Sequence, residues 1–175
     1  MHNTTMYLCA MYTIISATNR KGSNTLKVAH QYQALFKEFG LESNLLSLEN
    51  FRSFERDEAF NLLEETYLKS ATKYVFIMPE YNGSFPGIFK LMMDISDLAT
   101  CWNHKKVMLV GVATGRAGNL RGIDNMTNMC HYMKMNVLPN KLSISNINHE
   151  LQEGVLMNEN TVQTIKTQIE QFIHY

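Results

Sequence analysis

The sequence predicts an α/β fold in which a doubly wound, five-stranded parallel sheet carries helices on both faces. Two patterns lead there. Short β-branched or apolar runs alternate, five times over, with segments whose apolar residues recur every three or four positions. One of the runs, Lys106 to Ala113 (KVMLVGVA), is almost continuously apolar, as a strand covered on both faces must be. A length of 175 residues suits one such domain. At that size folding removes about two-thirds of the unfolded surface, so the core needs no staples.

The first strand is Tyr12 to Ser16, which breaks into the polar stretch Ala17 to Asn24. Val28, Ala29, Tyr32, Leu35, Phe36 and Phe39 then keep helical spacing until Gly40 stops them. Ser43 to Leu48 is a weaker strand, residues 49–57 a polar and aromatic loop, and Glu58 to Ser70 a helix through Phe60, Leu63, Tyr67 and Leu68. The third strand, Tyr74 to Met78 with Lys73 opening it, ends at Pro79, which cannot donate to a ladder. Pro86 suits the first turn of the next helix, about Ile88 to Leu98. Its apolar residues Ile88, Phe89, Leu91, Met92, Met93, Ile95 and Leu98 spread over more than one face, which asks for cover on two sides and points to a partner subunit. After the fourth strand and the loop Thr114 to Arg121, Ile123, Met126, Met129, Cys130 and Met133 line one helix face. The fifth strand is short, Val137 and Leu138 before Pro139, and resumes at Leu142 to Ile144. Val162, Ile165, Ile169, Phe172 and Ile173 define the last helix. Residues 1–10 read as a loose leader and 11–175 as a single domain.

Composition excludes several classes of function. Sixteen Lys and Arg balance sixteen Asp and Glu, so the basic excess of a nucleic-acid binder or a polybasic membrane protein is missing. No apolar run reaches the roughly 18 to 20 residues of a membrane span. Tyr7 to Ala17 is short, apolar and ends in small residues, yet no Lys or Arg precedes it, so the charged start of a signal peptide is lacking. Three distant cysteines, Cys9, Cys101 and Cys130, make a disulfide framework improbable and a reducing cytoplasm the natural compartment. Cys101-x-x-His104 and Cys130-His131 lack the second half of a zinc site, so no metal is expected. The twelve Met residues are many, but those in the third and fourth helices follow helical spacing and read first as core.

Ligands of open α/β sheets bind beyond the carboxyl ends of the strands, where strand order reverses. That rule selects the loops Ser16 to Thr25, Pro79 to Pro86 and Thr114 to Arg121. The first carries hydroxyls, the guanidinium of Arg20 and a helix start, a combination that suits a phosphate dianion. A plain helix cap at Ser23 or Asn24 draws on the same residue types, and local composition alone weighs the two equally. Gly-x-Gly-x-x-Gly and Gly-Lys-Ser/Thr are both missing, so neither a dinucleotide fingerprint nor a nucleotide P-loop is present. The second loop tips the balance toward a ligand. Tyr81 offers a ring, Asn82 and Ser84 polar contacts, and Gly83 a close backbone approach, the parts needed to hold a flat heteroaromatic system with polar edges.

Taken together, T-N-R-K-G-S-N-T (residues 18–25), P-E-Y-N-G-S-F-P-G-x-x-K (79–90) and A-T-G-R-A-G (113–118) strongly resemble the NADPH-dependent FMN reductase family. The resemblance spans roughly residues 11–140 and implies a flavodoxin-like fold, with flavin, quinone, azo-dye or metal-oxyanion reduction as the activity. By position it implies that Ser16, Arg20, Ser23, Asn24 and Thr25 hold the FMN phosphate, with Thr18 also among the cofactor-binding residues. Pro79, Glu80, Tyr81, Asn82 and Gly83 would flank the ribityl chain and the isoalloxazine, and Thr114, Gly115, Arg116 and Gly118 would form a third wall. Ala17 departs from the family's usual Gly, and the leader at 1–10 is mostly absent from the family. The implied activity is hydride transfer from NADPH or NADH through FMN to a small electron acceptor with ping-pong kinetics, in a cytoplasmic homodimer or homotetramer. No catalytic side chain is singled out, because the flavin carries the chemistry. The rivals are a flavodoxin-type electron carrier, which NADPH would not reduce, and a non-catalytic FMN-binding module.

Overall fold

The computed structural model describes residues 11–175, and the leader expected at 1–10 lies outside them. Four parallel strands, β1 (Tyr12–Ser16), β2 (Ser43–Ser47), β3 (Lys73–Pro79) and β4 (Lys106–Val112), form the sheet's body. Two short segments, β5 (Asn136–Val137) and β6 (Leu142–Ile144), share the fifth position, both parallel to β4. The order is β2-β1-β3-β4-β5, the flavodoxin-like arrangement, with its switch point between β1 and β3. Pro139 lies between the two halves of the fifth strand, and its missing N–H breaks the ladder there.

Alternation along the central strands sorts the core into two layers. Ile14, Val75, Ile77, Met108 and Val110 pack against α1 (Asn24–Glu38) and α7 (Glu159–His174) through Val28, Tyr32, Phe36, Ile165, Ile169 and Phe172. Their neighbours Ile15, Tyr74, Phe76, Met78 and Leu109 face α2 (Glu58–Leu63), α3 (Gly87–Ile95), α4 (Leu98–Cys101) and α5 (Leu120–Tyr132). Because both layers are apolar, the β4 run has no polar beat.

Three elements differ from expectation. The helix predicted over Ile88 to Leu98 ends at Ile95, because Ser96 and Asp97 turn the chain. Ser96 Oγ donates to the Met93 carbonyl at 2.8 Å and accepts from the buried Trp102 Nε1–H at 2.7 Å, while Asp97 caps α4 through the Thr100 N–H at 2.7 Å. Phe89, Met92 and Met93 are buried, and Ile88, Leu91 and Ile95 lie half-buried against the same layer, so part of the expected second cover comes from this chain. The helix predicted over Glu58 to Ser70 is α-helical only to Leu63 and then widens into a π-helical stretch, Glu64–Lys69. Finally, a short helix α6 (Ile147–Glu150) and an antiparallel hairpin of β7 (Leu151–Gln152) and β8 (Val155–Leu156) precede α7. Two-residue strands show no period to read. The hairpin turns on Glu153 and Gly154, both at positive φ.

Lysines at the amino ends of the strands bind helix ends to the sheet. Lys73 Nζ donates to the carbonyls of Phe172 and Ile173 at 2.8 and 3.0 Å, and Lys105 Nζ to those of Leu68 and Lys69 at 2.8 and 3.0 Å. These are the carbonyls a helix leaves without internal partners, at its negative end.

Within the π-helical stretch, Glu64 is fully buried and accepts from Arg56 Nη2 at 2.6 Å and from the Asp97 N–H at 2.7 Å, with Lys69 Nζ at 3.3 Å. Burial pushes its carboxyl up, but the Asp97 N–H, Lys69 and Arg56 outweigh it and hold the group below its ordinary 4.5. A depressed folded value contributes stability above the unfolded value, and that stability is lost as pH falls through the folded one. Glu64→Gln therefore lowers the melting temperature at neutral pH, and the gap to wild type closes on acidification below about pH 4.5. Thermal melts followed by circular dichroism across that range check this, and a gap independent of pH refutes it.

Candidate functional site

Parallel register sets the floor of the cleft at the carboxyl end of the sheet. Ser16 at the end of β1 pairs with Ile77, but β3 and β4 continue together to the pair Pro79 and Val112. The loop leaving β1 therefore turns away beside two taller strands. It reaches α1 through Ser23, whose Oγ accepts from the Leu26 N–H at 3.1 Å. That is an N-cap, and it leaves the hydroxyl proton free to donate to a ligand, so cap and cradle are compatible. The first-turn N–H groups of α1 point out of the same end.

The loop after β3 is a tight turn. Tyr81 N–H donates to the Ser84 carbonyl at 2.8 Å and Ser84 N–H returns to that of Tyr81 at 3.1 Å. Asn82 and Gly83 between them have φ of 53° and 75°. Both central residues are left-handed, the conformation that Asn-Gly adopts at least cost.

Two contacts join these loops across the switch point. The Thr18 and Tyr81 hydroxyls lie 2.6 Å apart, and the Arg20 guanidinium stacks over the Tyr81 ring, 4.1 Å from its centre. A third contact comes from outside: Glu49 Oε1 accepts the Gly22 N–H at 2.8 Å. On the far side, Asn24 Nδ2 donates to Asn148 Oδ1 at 2.9 Å and joins α1 to α6.

The resulting cleft has a volume of about 580 Å³ and is walled by residues 20–25, 79–83, 112–115 and Ile147. Arg20, Ser23, Asn24, Thr25, Pro79, Glu80, Tyr81, Asn82, Gly83, Thr114 and Gly115 all line it. Thr18 is buried and reaches the wall through Tyr81. Ser16 is fully buried at the end of β1, and its hydroxyl has no hydrogen-bond partner. Arg116 is exposed and stands outside these walls. Gly118 also stands outside: a Cβ there would come within 2.7 Å of Ser143. Sequence reasoning missed Lys21, Gly22, Val112, Ala113 and Ile147 of the wall and Glu49 behind it. Glu49 carries no local signal, since it meets Gly22 only through the fold.

Asn119, also unforeseen, is fully buried, and its Nδ2 donates to the carbonyls of Met78 and Pro79 at 3.0 Å each. The buried thiols offer no second centre of reactivity. Burial, chiefly, pushes both Cys101 and Cys130 up to about 12. A thiol in that range is not a nucleophile at neutral pH.

The sequence model of the family described as NADPH-dependent FMN reductase matches residues 12–149, and the chain belongs to that family. Members are NAD(P)H-dependent enzymes with FMN as cofactor, and this chain is accordingly a flavin-dependent oxidoreductase. It is 28% identical over 148 residues to the NADPH azoreductase of Bacillus sp. strain OY1-2, the match covering 82% of this chain and 80% of that one. Among solved structures it is similar to FerB, a flavoenzyme NAD(P)H:(acceptor) oxidoreductase from Paracoccus denitrificans, with a TM-score of 0.77 at 18% identity over 96% of this chain and 97% of that one. A Streptococcus pneumoniae TIGR4 flavodoxin gives 0.61 at 18% identity, over 94% and 99% of the two chains. At such identities the likeness is one of fold.

The cleft fits FMN on its own geometry. Its volume lies within the usual range of about 300–1,000 Å³ for small-molecule sites. One wall presents a helix start and two hydroxyl side chains for a phosphate, the facing wall an Asn-Gly turn for a planar ring, and the Arg20 guanidinium lies between them over Tyr81.

Close packing keeps the third wall upright. A Cβ on Gly111 of β4 would come within 2.2 Å of the Gly118 carbonyl and 2.9 Å of Ile123. Gly111→Ala should cost at least about 1–3 kcal/mol of stability, as overpacking does. Urea titration of the variant checks this, and an unchanged midpoint would show that the 113–118 loop yields freely.

Proposed function

We propose that this chain passes a hydride from NAD(P)H, through FMN held in the switch-point cleft, to a small acceptor such as a quinone, a free flavin, an azo dye or a metal oxyanion. Supporting this reading above all is the convergence of the two family motifs, residues 18–25 and 79–83, on one cleft and their contact at Thr18, Arg20 and Tyr81. When bound, FMN supplies the redox chemistry, taking a hydride from the donor and returning electrons to the acceptor.

The protein's part is to hold and to expose. Arg20 supplies positive charge to the phosphate, Ser23 and Thr25 supply hydroxyls, and the first turn of α1 supplies N–H donors and the positive end of its dipole. Glu49 fixes the loop at Gly22. Pro79 to Gly83 would border the flavin ring with backbone groups, and Tyr81 is braced by Thr18 so that it stands as a fixed wall. Thr114 and Gly115 close the opposite side, and Arg116, exposed and next in the chain to Gly115, would offer charge to an approaching acceptor. No side chain of the cleft is assigned a proton transfer. The half-covered row Ile88, Leu91 and Ile95 of α3 supports a homodimer or homotetramer, and the free, buried thiols Cys101 and Cys130 support a cytoplasmic location. Among the described residues no helix is long and apolar enough to cross a membrane.

Two measurements test the reading. Arg20→Ala should weaken FMN binding about tenfold to a hundredfold, the worth of one charge-assisted contact. Fluorescence titration giving wild-type affinity in the folded variant would move the phosphate elsewhere. In steady state, NAD(P)H and a quinone or dye should give parallel double-reciprocal lines, because donor and acceptor use one exposed flavin face in turn. Crossing lines would mean that both bind together. Anaerobic NADPH that leaves the bound flavin yellow would instead make the protein an electron carrier.

A further inference from the structure

The amide of Asn119 does work that its place in the chain does not ask of it. Asn119 stands at the N-cap of α5 with φ of 68°, yet its side chain makes no cap bond to its own helix. An N-cap asparagine ordinarily accepts from the helix's first N–H groups. Here the amide faces the other way, and both Nδ2 protons go to the carbonyls of Met78 and Pro79. Its Oδ1 is buried and has no hydrogen-bond partner. The group is thus held in this place by its donors alone, with a buried acceptor left unmatched, an arrangement that costs stability.

Space for it comes from glycines. A Cβ on Gly122 would lie 2.1 Å from Asn119 Oδ1, and one on Gly111 would lie 3.1 Å from Asn119 Cβ. A side chain longer than Asn, or an alanine at either glycine, would disturb the fit. What the amide holds is the end of β3, where the strand becomes the loop of the cleft. Pro79 lines the cleft, and the peptide units that carry the Met78 and Pro79 carbonyls set the direction of Glu80 and Tyr81. Fixing both carbonyls fixes the planes of those peptides, because each is rigid.

We propose that Asn119 is a positioning residue for FMN: by clamping the Met78 and Pro79 carbonyls it aims the backbone of residues 80–83 at the flavin ring. The inference rests on the FMN reading of the cleft. It assigns Asn119 no contact with the cofactor, and its effect passes through the loop it orients.

Asn119→Gly and Asn119→Asp test it. Glycine keeps the left-handed backbone and deletes the amide, whereas aspartate replaces two donors with a carboxylate facing two carbonyls. Each variant, stripped of flavin and refolded as judged by far-ultraviolet circular dichroism, is titrated with FMN, and the visible circular dichroism of the bound flavin is recorded. Asn119→Gly should bind FMN at least about tenfold more weakly and with an altered visible spectrum. Asn119→Asp should show the same loss at neutral pH and recover part of it on acidification, since a protonated carboxyl regains one donor. A role confined to supporting α5 would lower the melting temperature and leave affinity, spectrum and pH profile unchanged, which overturns the inference. Where a variant does not fold, the wild-type Asn119 side-chain amide decides by nuclear magnetic resonance. FMN should shift its resonances and slow its exchange, and an unmoved signal overturns the inference. Wild-type protein that takes up no FMN overturns the cofactor reading and this inference together, whereas wild-type binding beside unaltered variants overturns this inference alone.

Discussion

Where β1 stops relative to β3 and β4 governs the rest of the molecule. Ser16 is matched to Ile77, while β3 and β4 go on to Pro79 and Val112, two residues or about 6–7 Å further. The sheet therefore ends in a step at its switch point, and the loop from β1 crosses the low side. Without the step, residues 17–23 would lie level with the Asn-Gly turn and fill the space they now enclose. With it, the start of α1 and the end of β3 face each other across a gap. The two-layer core holds this register, because a shift of one residue would carry Ile14 and Ile15 to opposite faces.

Loops at such a step need ties, since they have few apolar contacts. Those here are polar and come from three directions. Tyr81 meets Thr18 and Arg20 across the gap, Glu49 takes the Gly22 N–H from behind β2, and Asn119 takes the last β3 carbonyls from the start of α5. Ala17 shows how a departure from the family pattern is absorbed. Its methyl is fully buried in the layer that contains Ile15 and Met78, while its N–H still reaches the Ile77 carbonyl at 2.9 Å. An alanine at the usual glycine position thus adds core while keeping a ladder bond to β3.

Local patterns reveal whatever local physics decides. Tyr12 to Ser16 and Lys106 to Val112 are legible because burial on both faces leaves no polar residue to confuse the run. Asn82-Gly83 is legible because a left-handed pair in a two-residue turn suits few other residues. The break after Ile95 was written in Ser96 and Asp97, but the apolar residues on either side kept helical spacing and masked it. Glu49 and Asn119 could not be read at all. Each acts on a partner at a distance in sequence, 27 residues for Glu49 and 40 or 41 for Asn119, and the pairing exists only once the sheet order is known. Arg116 and Gly118 illustrate the opposite case. They belong to a motif that runs through the third loop, but the loop bends after Gly115, so the motif's second half faces solvent and Ser143.

The same sheet serves reductases and electron carriers alike, since FerB and a flavodoxin both superpose on it. Any difference between those roles must lie in how the loops treat the cofactor's exposed face. Here the cleft walls bring Arg20 and Lys21 together with the carboxylate of Glu80, and residues 82–83 and 114–115 add backbone and small side chains rather than bulk. Tyr81 is the one aromatic ring in the wall among the described residues, and its hydroxyl is tied back to Thr18 while its face lies under Arg20. A ring held in that way is kept from swinging freely across the cleft. A fixed ring and small neighbours keep the cleft open, which the proposed exchange of nicotinamide and acceptor requires and a shuttle that passes electrons at its edge does not.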